Sequence, residues 1–240
     1  MSQMLVVVIL LLLLVSFACI FIVYKAYFYR KNYVSAWSAS KEWVLKFNKS
    51  LSESSNQKDK IVLLGASITE DWELSKYFEN SPFINMGIKG QFSGQYLLRF
   101  KRDVIDLKPK AVVIKLCAIN ITRDIPFEVS RDNVLMMTQL AVANGIKPVL
   151  ASIIPVTKEF DIKRSSKDIT EEIKQFNSWL KNYAGKSGFE YLDYAKAMSD
   201  EMGYLKNAVS RDGLHPNEKG YEIMVSVLSQ LIVEEEKDSK

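Results

Sequence analysis

The stretch KIVLLGASITEDW, residues 60 to 72, holds the pattern from which the fold of this chain can be read. Its first part, KIVLLG, is a short apolar run with β-branched side chains, which is typical of a strand buried on both faces of a sheet. Ser67 follows two residues later, in the turn that leaves this strand. We therefore expect a buried strand that ends beside a serine.

Further apolar runs of the same kind alternate with helical patterns along the rest of the chain. Such alternation predicts an α/β fold in which a parallel sheet is covered by helices on both faces. In the final helical pattern, Tyr221, Met224 and Leu228 recur at helical spacing, and Asn217 precedes it as a plausible N-cap. The predicted strands are 60–65, 83–87, 111–117, 147–153 and 189–193, and the predicted helices are 93–107, 127–144, 166–186 and 217–235.

Four segments that follow predicted strands or precede the last predicted helix carry residues with useful chemistry. Ligand and catalytic sites of open parallel sheets form at the carboxyl ends of the strands. Ser67 follows the first strand, Gly90 lies in the glycine-containing loop after the second, and Asn120 follows the third. The loop before the last helix holds Asp212 and His215. We expect these segments to converge at one edge of the sheet.

The residue types in these segments are those that acyl transfer needs. A serine hydroxyl is a weak nucleophile until a base takes its proton, and His215 is the only histidine of the chain. Asp212, three residues earlier, can orient the imidazole. The Ser67 and Gly90 N–H groups and the Asn120 amide can stabilise an oxyanion, for which each lost donor costs about 2.7–4 kcal/mol.

Composition excludes several other classes of function. The chain has 240 residues and a net charge of +4 that is spread along the sequence, so no concentrated basic patch predicts nucleic-acid binding. Two cysteines, Cys19 and Cys117, are too few and too far apart for a disulfide framework or a zinc site. The sequence offers no ligand cluster for a metal ion, and we expect neither a metal nor another cofactor.

The N-terminus differs in kind from the rest of the chain. The segment MLVVVILLLLLVSFACIFIV, residues 4 to 23, carries no charge. About 20 apolar residues suffice to cross a bilayer core of roughly 30 Å, so we expect one transmembrane helix. A cleaved signal peptide is the main alternative, although the preceding MSQ lacks the usual positive charge. A lipoprotein cleavage site before Cys19 is a further alternative that Ser16 and Phe17 fit poorly.

These patterns predict three segments: a transmembrane anchor at residues 1–24, a juxtamembrane segment and linker at 25–59, and a catalytic domain at 60–240. The polar stretch KSLSESSNQKDK at 49–60 is typical of a linker. We expect a single-pass membrane protein. Basic residues on the C-terminal flank favour a cytoplasmic domain, but they are few, and the side of the membrane stays open.

Residues 60 to 235 resemble the SGNH hydrolases, also called the GDSL esterase/lipase family. GASIT is similar to the Gly-Asp-Ser block, which implies Ser67 as nucleophile, and NMGIKGQ is similar to the second block, which implies Gly90. LCAINITR is similar to the Gly-x-Asn-Asp block and gives Asn120. DGLHPNEKGY matches the Asp-x-x-His block with Asp212 and His215. The resemblance implies a flavodoxin-like, three-layer α/β/α sandwich.

Three positions depart from the family pattern as we align it. Ala66 replaces the aspartate before the nucleophile, Ala118 replaces a glycine of the third block, and Ile121 replaces the aspartate after Asn120. None of these changes removes a group that reacts. The related α/β-hydrolase pattern Gly-x-Ser-x-Gly fits less well, because Thr69 stands at its last position.

The resemblance implies a serine esterase that cleaves an ester or thioester through an acyl-enzyme, and the apolar segment at residues 4–23 predicts that it is anchored in a membrane. Small acyl esters, lipids and acylated carbohydrates are all possible substrates. Two alternatives from other classes stay open. One is an O-acyltransferase that passes the acyl group to a carbohydrate, and the other is a catalytically silent binding module.

Overall fold

The computed structural model describes residues 12–27, 59–79, 81–164 and 167–231, together with the single positions 4 and 9. The chain divides into two compact units, residues 1–54 and residues 55–240. The first unit contains the predicted anchor and most of the predicted linker. The second contains the predicted catalytic domain.

In the first unit, residues 12–27 are helical and their side chains are exposed. The transmembrane helix predicted at residues 4–23 lies partly outside the described residues, and the segment predicted as a linker at 25–59 lies almost wholly outside them. Within the described ranges, no helix is both long enough and apolar enough to cross a membrane.

The second unit is built on a parallel sheet of five strands. In spatial order they are β2, β1, β3, β4 and β5, which is the doubly wound, flavodoxin-like arrangement that the family resemblance implies. Right-handed crossovers run in opposite directions from the middle of such a sheet, so helices cover both faces and three layers result. The strands are β1 (Ile61–Gly65), β2 (Phe83–Gly87), β3 (Ala111–Lys115), β4 (Lys147–Ala151) and β5 (Glu190–Leu192).

Eight α-helices of this unit are described, four of them no longer than seven residues. Short 3₁₀ turns at Leu74–Lys76, Ile105–Leu107 and Asn207–Val209 lie between them. The helices are α1 (Ser67–Glu70), α2 (Ser93–Asp103), α3 (Ile119–Thr122), α4 (Phe127–Ala143), α5 (Lys158–Arg164), α6 (Ile169–Ser187), α7 (Tyr194–Met198) and α8 (Glu218–Leu228).

The core lies on both sides of the central strands. Every residue of β1 and β3 is buried, which confirms the prediction of two-sided burial. The predicted stripe of α8 is buried as well, and the Asn217 side chain accepts the Gly220 N–H as an N-cap. Because the sheet is rigid and packed on both faces, the loops at its carboxyl edge start from fixed positions.

Candidate active site

Ser67 lies where the inner strand β1 turns directly into the short helix α1. The residues Gly65 and Ala66 lead into this turn, and α1 begins at Ser67 itself. Helix α1 packs against the end of β2 so closely that a Cβ atom on Gly87 would lie 2.1 Å from the Glu70 nitrogen. Only glycine at position 87 allows this approach, which fixes the place of the Ser67 side chain.

The loop before α8 brings His215 to this serine. The Ser67 Oγ lies 2.9 Å from the Nε2 of His215, although 148 positions separate the two residues. On the other side of the ring, His215 Nδ1 lies 2.7 Å from Asp212 Oδ2. With Nδ1 donating its hydrogen to Asp212, Nε2 is free to accept the Ser67 hydroxyl hydrogen.

The carboxylate of Asp212 is held in place by the backbone of its own loop. Its Oδ1 accepts the N–H groups of Leu214 at 3.0 Å and of His215 at 2.8 Å. Burial acts to raise the pKa of Asp212, but the hydrogen bonds from the His215 N–H and ring outweigh it and hold the pKa below its ordinary value. The group is therefore ionised at neutral pH, where it can stabilise an imidazolium.

Gly90 lies beside the serine in the wall of one pocket. Its φ of +73° is a left-handed conformation that favours glycine. Ser67, Gly90 and His215 all line this pocket, which has a volume of about 430 Å³. In the described part of the chain, neither the Ser67 N–H nor the Gly90 N–H donates to a protein acceptor. Both donors are therefore available to a ligand.

Asn120 does not join these residues, contrary to the sequence prediction. Its side chain is 1% exposed, and its amide nitrogen donates to Ser93 Oγ at 2.8 Å and to Ser130 Oγ at 2.9 Å. Its amide oxygen accepts the Ser93 N–H at 3.3 Å. Because both amide hydrogens are used in the interior, the side chain joins α3 to α2 and α4 and offers no donor to the pocket.

Ile119 is the neighbouring residue of α3 that lines the pocket. The geometry therefore favours an alignment of the third block one residue earlier, with Cys117 in place of its glycine. Ile119 then stands in place of the asparagine, and Asn120 stands in place of the aspartate. In this alignment the third block departs from the family pattern at Cys117, Ile119 and Asn120, and the pocket lacks a side-chain amide donor.

Asp71, at the end of α1, joins the three segments that carry the site. Its carboxylate lies 2.7 Å from Lys89 Nζ and 2.7 Å from the Arg211 guanidinium. Lys89 precedes Gly90, and Arg211 precedes Asp212. Partial burial acts to raise the pKa of Asp71, but hydrogen bonds from Lys89 and Arg211 hold it below the ordinary value. Asp71 could not be identified from the sequence, because no local pattern indicates ion pairs between distant segments.

Arg99 stabilises the same region through hydrogen bonds in the protein interior. No sequence pattern predicted this role. Its guanidinium donates to the Gly65 carbonyl at 2.9 Å, to Gln91 Oε1 at 2.6 Å and to Asp103 Oδ2 at 2.6 Å. The side chain is only 5% exposed. A buried charge is tolerated when it is paired and fully hydrogen-bonded. Arg99 therefore ties the end of β1, just before the serine, to the loop that contains Gly90.

The arrangement fits nucleophilic attack by an oxygen and proton transfer by an imidazole. Among the described residues, no group of three or more His, Cys, Asp or Glu side chains is placed to hold a metal ion. The walls of the pocket combine apolar side chains, among them Ile68, Ile119 and Leu214, with three basic residues. An acyl chain can pack against the apolar part of such a pocket.

Comparison with known proteins is consistent with this geometry. A sequence model of the family described as GDSL-like lipase/acylhydrolase matches residues 63–223. The crystal structure of a GDSL-like lipase from Bacteroides thetaiotaomicron is 30% identical, with a TM-score of 0.72, and the match covers 80% of this chain and 97% of that protein. No curated protein gives a significant sequence match.

Two more distant structures share the fold. A lipase/acylhydrolase from Enterococcus faecalis is 23% identical with a TM-score of 0.59, over 72% of this chain and 94% of that one. An acetylxylan esterase from Geobacillus stearothermophilus is 16% identical with a TM-score of 0.60, over 72% and 93% of the two chains.

Proposed function

The chain belongs to the GDSL-like lipase/acylhydrolase family and is thus a serine hydrolase that acts on ester bonds, and from this premise we propose that Ser67, His215 and Asp212 form its catalytic triad. The observation that carries the proposal is the 2.9 Å contact between Ser67 Oγ and His215 Nε2. The 2.7 Å contact between His215 Nδ1 and Asp212 supports it.

In the proposed mechanism, His215 Nε2 takes the hydroxyl proton while Ser67 Oγ attacks the carbonyl carbon of an ester or thioester. The tetrahedral intermediate collapses to an acyl-enzyme when the imidazolium gives its proton to the leaving alcohol or thiol. Water then enters, His215 removes its proton, and a second tetrahedral intermediate releases the acid and restores Ser67. Asp212 stays ionised throughout and stabilises the imidazolium.

The oxyanion is stabilised in this proposal by backbone donors. Ser67 and Gly90 both line the pocket, and their N–H groups have no protein acceptor among the described residues. Donors that are already in position act in the transition state without further reorganisation. Asn120 is left out of the oxyanion hole, since Ser93 and Ser130 use both hydrogens of its amide.

A fluorophosphonate probe tests the nucleophile directly. We expect the wild-type protein to be labelled and Ser67→Ala not to be labelled. Ser229→Ala is the matched control and should be labelled like the wild type, because the Ser229 hydroxyl only donates to the Val225 carbonyl of its own helix. His215→Ala should abolish labelling, since the chain has no second histidine. Unchanged labelling of Ser67→Ala would contradict the assignment, and no labelling of any protein would favour the binding module.

A product assay distinguishes hydrolysis from acyl transfer. Wild-type protein with an aryl acetate should release free acetate in the presence of a carbohydrate acceptor. Acetylated carbohydrate as the main product would favour the acyltransferase alternative. The acyl chain preferred by the enzyme follows from the same assay with esters of increasing chain length.

Membrane anchoring by residues 4–23 is a separate proposal. It is supported by the absence of charge in this segment and by the exposure of its large apolar side chains between residues 12 and 23. We expect the full chain to stay with the membrane fraction after an alkaline carbonate wash, and a chain of residues 59–240 to stay in the supernatant. Release of the full chain by carbonate would argue against an anchor.

A further inference from the structure

The pocket that contains Ser67 and His215 has a basic wall. Lys89, Arg123 and Arg211 line it, and none of the described residues that line it is acidic. The three cations come from different segments: Lys89 from the loop after β2, Arg123 from the end of α3, and Arg211 from the loop before α8. Basic side chains from three segments thus line the same pocket as Ser67.

Two of these cations share one carboxylate. Lys89 and Arg211 both pair with Asp71. Their side chains are 62% and 47% exposed, whereas that of Asp71 is 15% exposed. The two cations are therefore more open to a ligand than the carboxylate between them. The hydrogen bond to Asp71 raises the pKa of each cation above its ordinary value, so both are charged at neutral pH.

The other carboxylates of these loops also have hydrogen-bond partners within the protein. Glu70 accepts the Lys89 N–H at 2.7 Å, and Asp212 holds His215 while lying 3.8 Å from the Arg211 guanidinium. Arg123 is exposed and forms no ion pair with any described residue. A guanidinium that lines the pocket without a carboxylate partner can offer its planar set of donors to a bound anion.

We propose that this pocket selects esters that carry an anionic group near the scissile bond, with Arg123 as the residue that binds this group. The inference rests on the proposed function and adds the class of substrate. The apolar residues Ile68, Ile119 and Leu214 receive the acyl portion, and the basic wall receives a carboxylate or phosphate on the remainder of the substrate. Arg123 is a specificity residue in this assignment and takes no part in proton transfer.

A pair of chromogenic esters with the same phenol skeleton tests the assignment. One is 3-acetoxy-4-nitrobenzoate and the other is its methyl ester, which lacks the negative charge. We compare kcat/KM for release of the acetyl group after dividing each value by the spontaneous hydrolysis rate of that ester. We expect the anionic ester to be preferred about 10-fold by the wild type, in keeping with a hydrogen bond to a charged group. Arg123→Gln should reduce this ratio to near 1, and 0.5 M NaCl should reduce it in the wild type.

Arg131→Gln is the matched control. Arg131 lies on α4 beside Asp132, with which it pairs, and does not line the pocket. The substitution removes the same charge from the protein, so the wild-type ratio should persist. A ratio that falls equally in both variants, or a wild type without preference for the anionic ester, would overturn the inference.

A binding experiment separates this inference from the proposed function. In Ser67→Ala, which cannot form an acyl-enzyme, calorimetry should show tighter binding of the anionic ester than of the methyl ester, and the double variant with Arg123→Gln should lose the difference. Equal binding of the two esters contradicts the anion site even if hydrolysis is normal. Conversely, a wild type that hydrolyses neither ester contradicts the esterase, while the binding difference still supports the anion site.

Competition distinguishes the two kinds of anion. Inorganic phosphate and benzoate are each added to the assay with the methyl ester. Stronger inhibition by phosphate, weakened by Arg123→Gln, supports a phosphate-bearing substrate, and the same result with benzoate supports a carboxylate-bearing one. Inhibition by neither anion counts against the site.

Discussion

The carboxylate of Asp71 lies 2.7 Å from the guanidinium of Arg211, a residue 140 positions further along the chain. This ion pair joins the helix that starts with Ser67 to the loop that holds Asp212 and His215. The same carboxylate pairs with Lys89, next to Gly90. One side chain thus connects all the segments that form the proposed active site.

We expect Asp71→Asn to lower kcat/KM by about 10- to 100-fold, since small displacements of reacting groups cost rate factors of this size. The asparagine keeps the shape of the side chain but loses the charge that holds Lys89 and Arg211. Asp106→Asn serves as the control, because Asp106 also pairs with a lysine, Lys101, at a site outside the pocket. Equal activity of the two variants on a neutral aryl acetate would contradict the connecting role.

The lowered pKa of Asp71 should also make the free energy of unfolding depend on pH. The folded-state pKa of Asp71 is below its ordinary value, so its contribution to stability is fully present above the unfolded-state pKa of about 3.9 and is lost as the pH falls through the folded-state value. The free energy of unfolding of wild type should therefore exceed that of Asp71→Asn by a constant amount above about pH 5. The difference should shrink below about pH 4. Urea unfolding at a series of pH values measures it, and a difference that grows on acidification would contradict the assignment.

Asp212→Asn should lower kcat by roughly 10³-fold or more, because the amide no longer fixes the required tautomer of His215 or stabilises its charged form. The matched control is Asp200→Asn. Asp200 also accepts two backbone N–H groups of its own loop, those of Met202 and Tyr204, but it does not contact a histidine. Comparable losses of activity in both variants would indicate a general effect of loop carboxylates.

The sheet was largely predictable because its strands are short apolar runs. The strand predicted at 83–87 is the one observed, and the first strand differs by one residue. The third strand was predicted to reach residue 117 but ends at Lys115. Leu116 and Cys117 are still buried, so the apolar pattern continues after the chain has left the sheet, and sequence alone cannot show where the hydrogen bonding stops.

The short helices were not predictable from periodicity. Helices α1 and α3 have four residues each, which is barely one turn and too short to show an apolar stripe. This limit explains the error at Asn120. Adjacent residues of a helix point about 100° apart, so without the helix the sequence did not show that Ile119 lines the pocket and that Asn120 is buried.

The residues proposed for the triad could be identified from the sequence because the chain contains a single histidine. One histidine, an aspartate three residues before it and a serine after a buried strand left little choice. The supporting residues Asp71 and Arg99 were missed for the opposite reason. Charged residues are common, and only the fold brings these two to their partners. The catalytic roles of Ser67, His215 and Asp212 stay predictions until the variants are measured.

Two arginines of α2 provide a test of how much the buried side chain of Arg99 stabilises the fold. Arg99 and Arg102 both pair with Asp103, but the Arg99 side chain is 5% exposed and that of Arg102 is 38% exposed. We expect Arg99→Ala to lower the free energy of unfolding by about 3–5 kcal/mol, because it breaks a buried pair. Arg102→Ala should cost less than about 1 kcal/mol, because the Arg102 side chain is partly exposed and Asp103 keeps its pair with Arg99. Similar values for the two variants in urea unfolding would show that burial of Arg99 adds nothing.

Ile119→Asn should raise the activity of the enzyme. Ile119 lines the pocket beside Ser67, where an asparagine amide would add a third donor to the two backbone N–H groups of the proposed oxyanion hole. Removing one such donor from an esterase or protease typically lowers kcat by about 10²–10³. Because an introduced donor is not held by evolved neighbours, we expect a smaller effect, a rise in kcat of about 10-fold on a neutral aryl acetate.

Ile121→Asn is the control for Ile119→Asn. Ile121 belongs to the same short helix but does not line the pocket of Ser67, so its substitution adds an amide without adding a donor at the site. We expect no increase of kcat in this variant. An unchanged or lower kcat in Ile119→Asn, with a fold intact by circular dichroism, would show that residue 119 does not face the oxyanion and would contradict the shifted alignment of the third block.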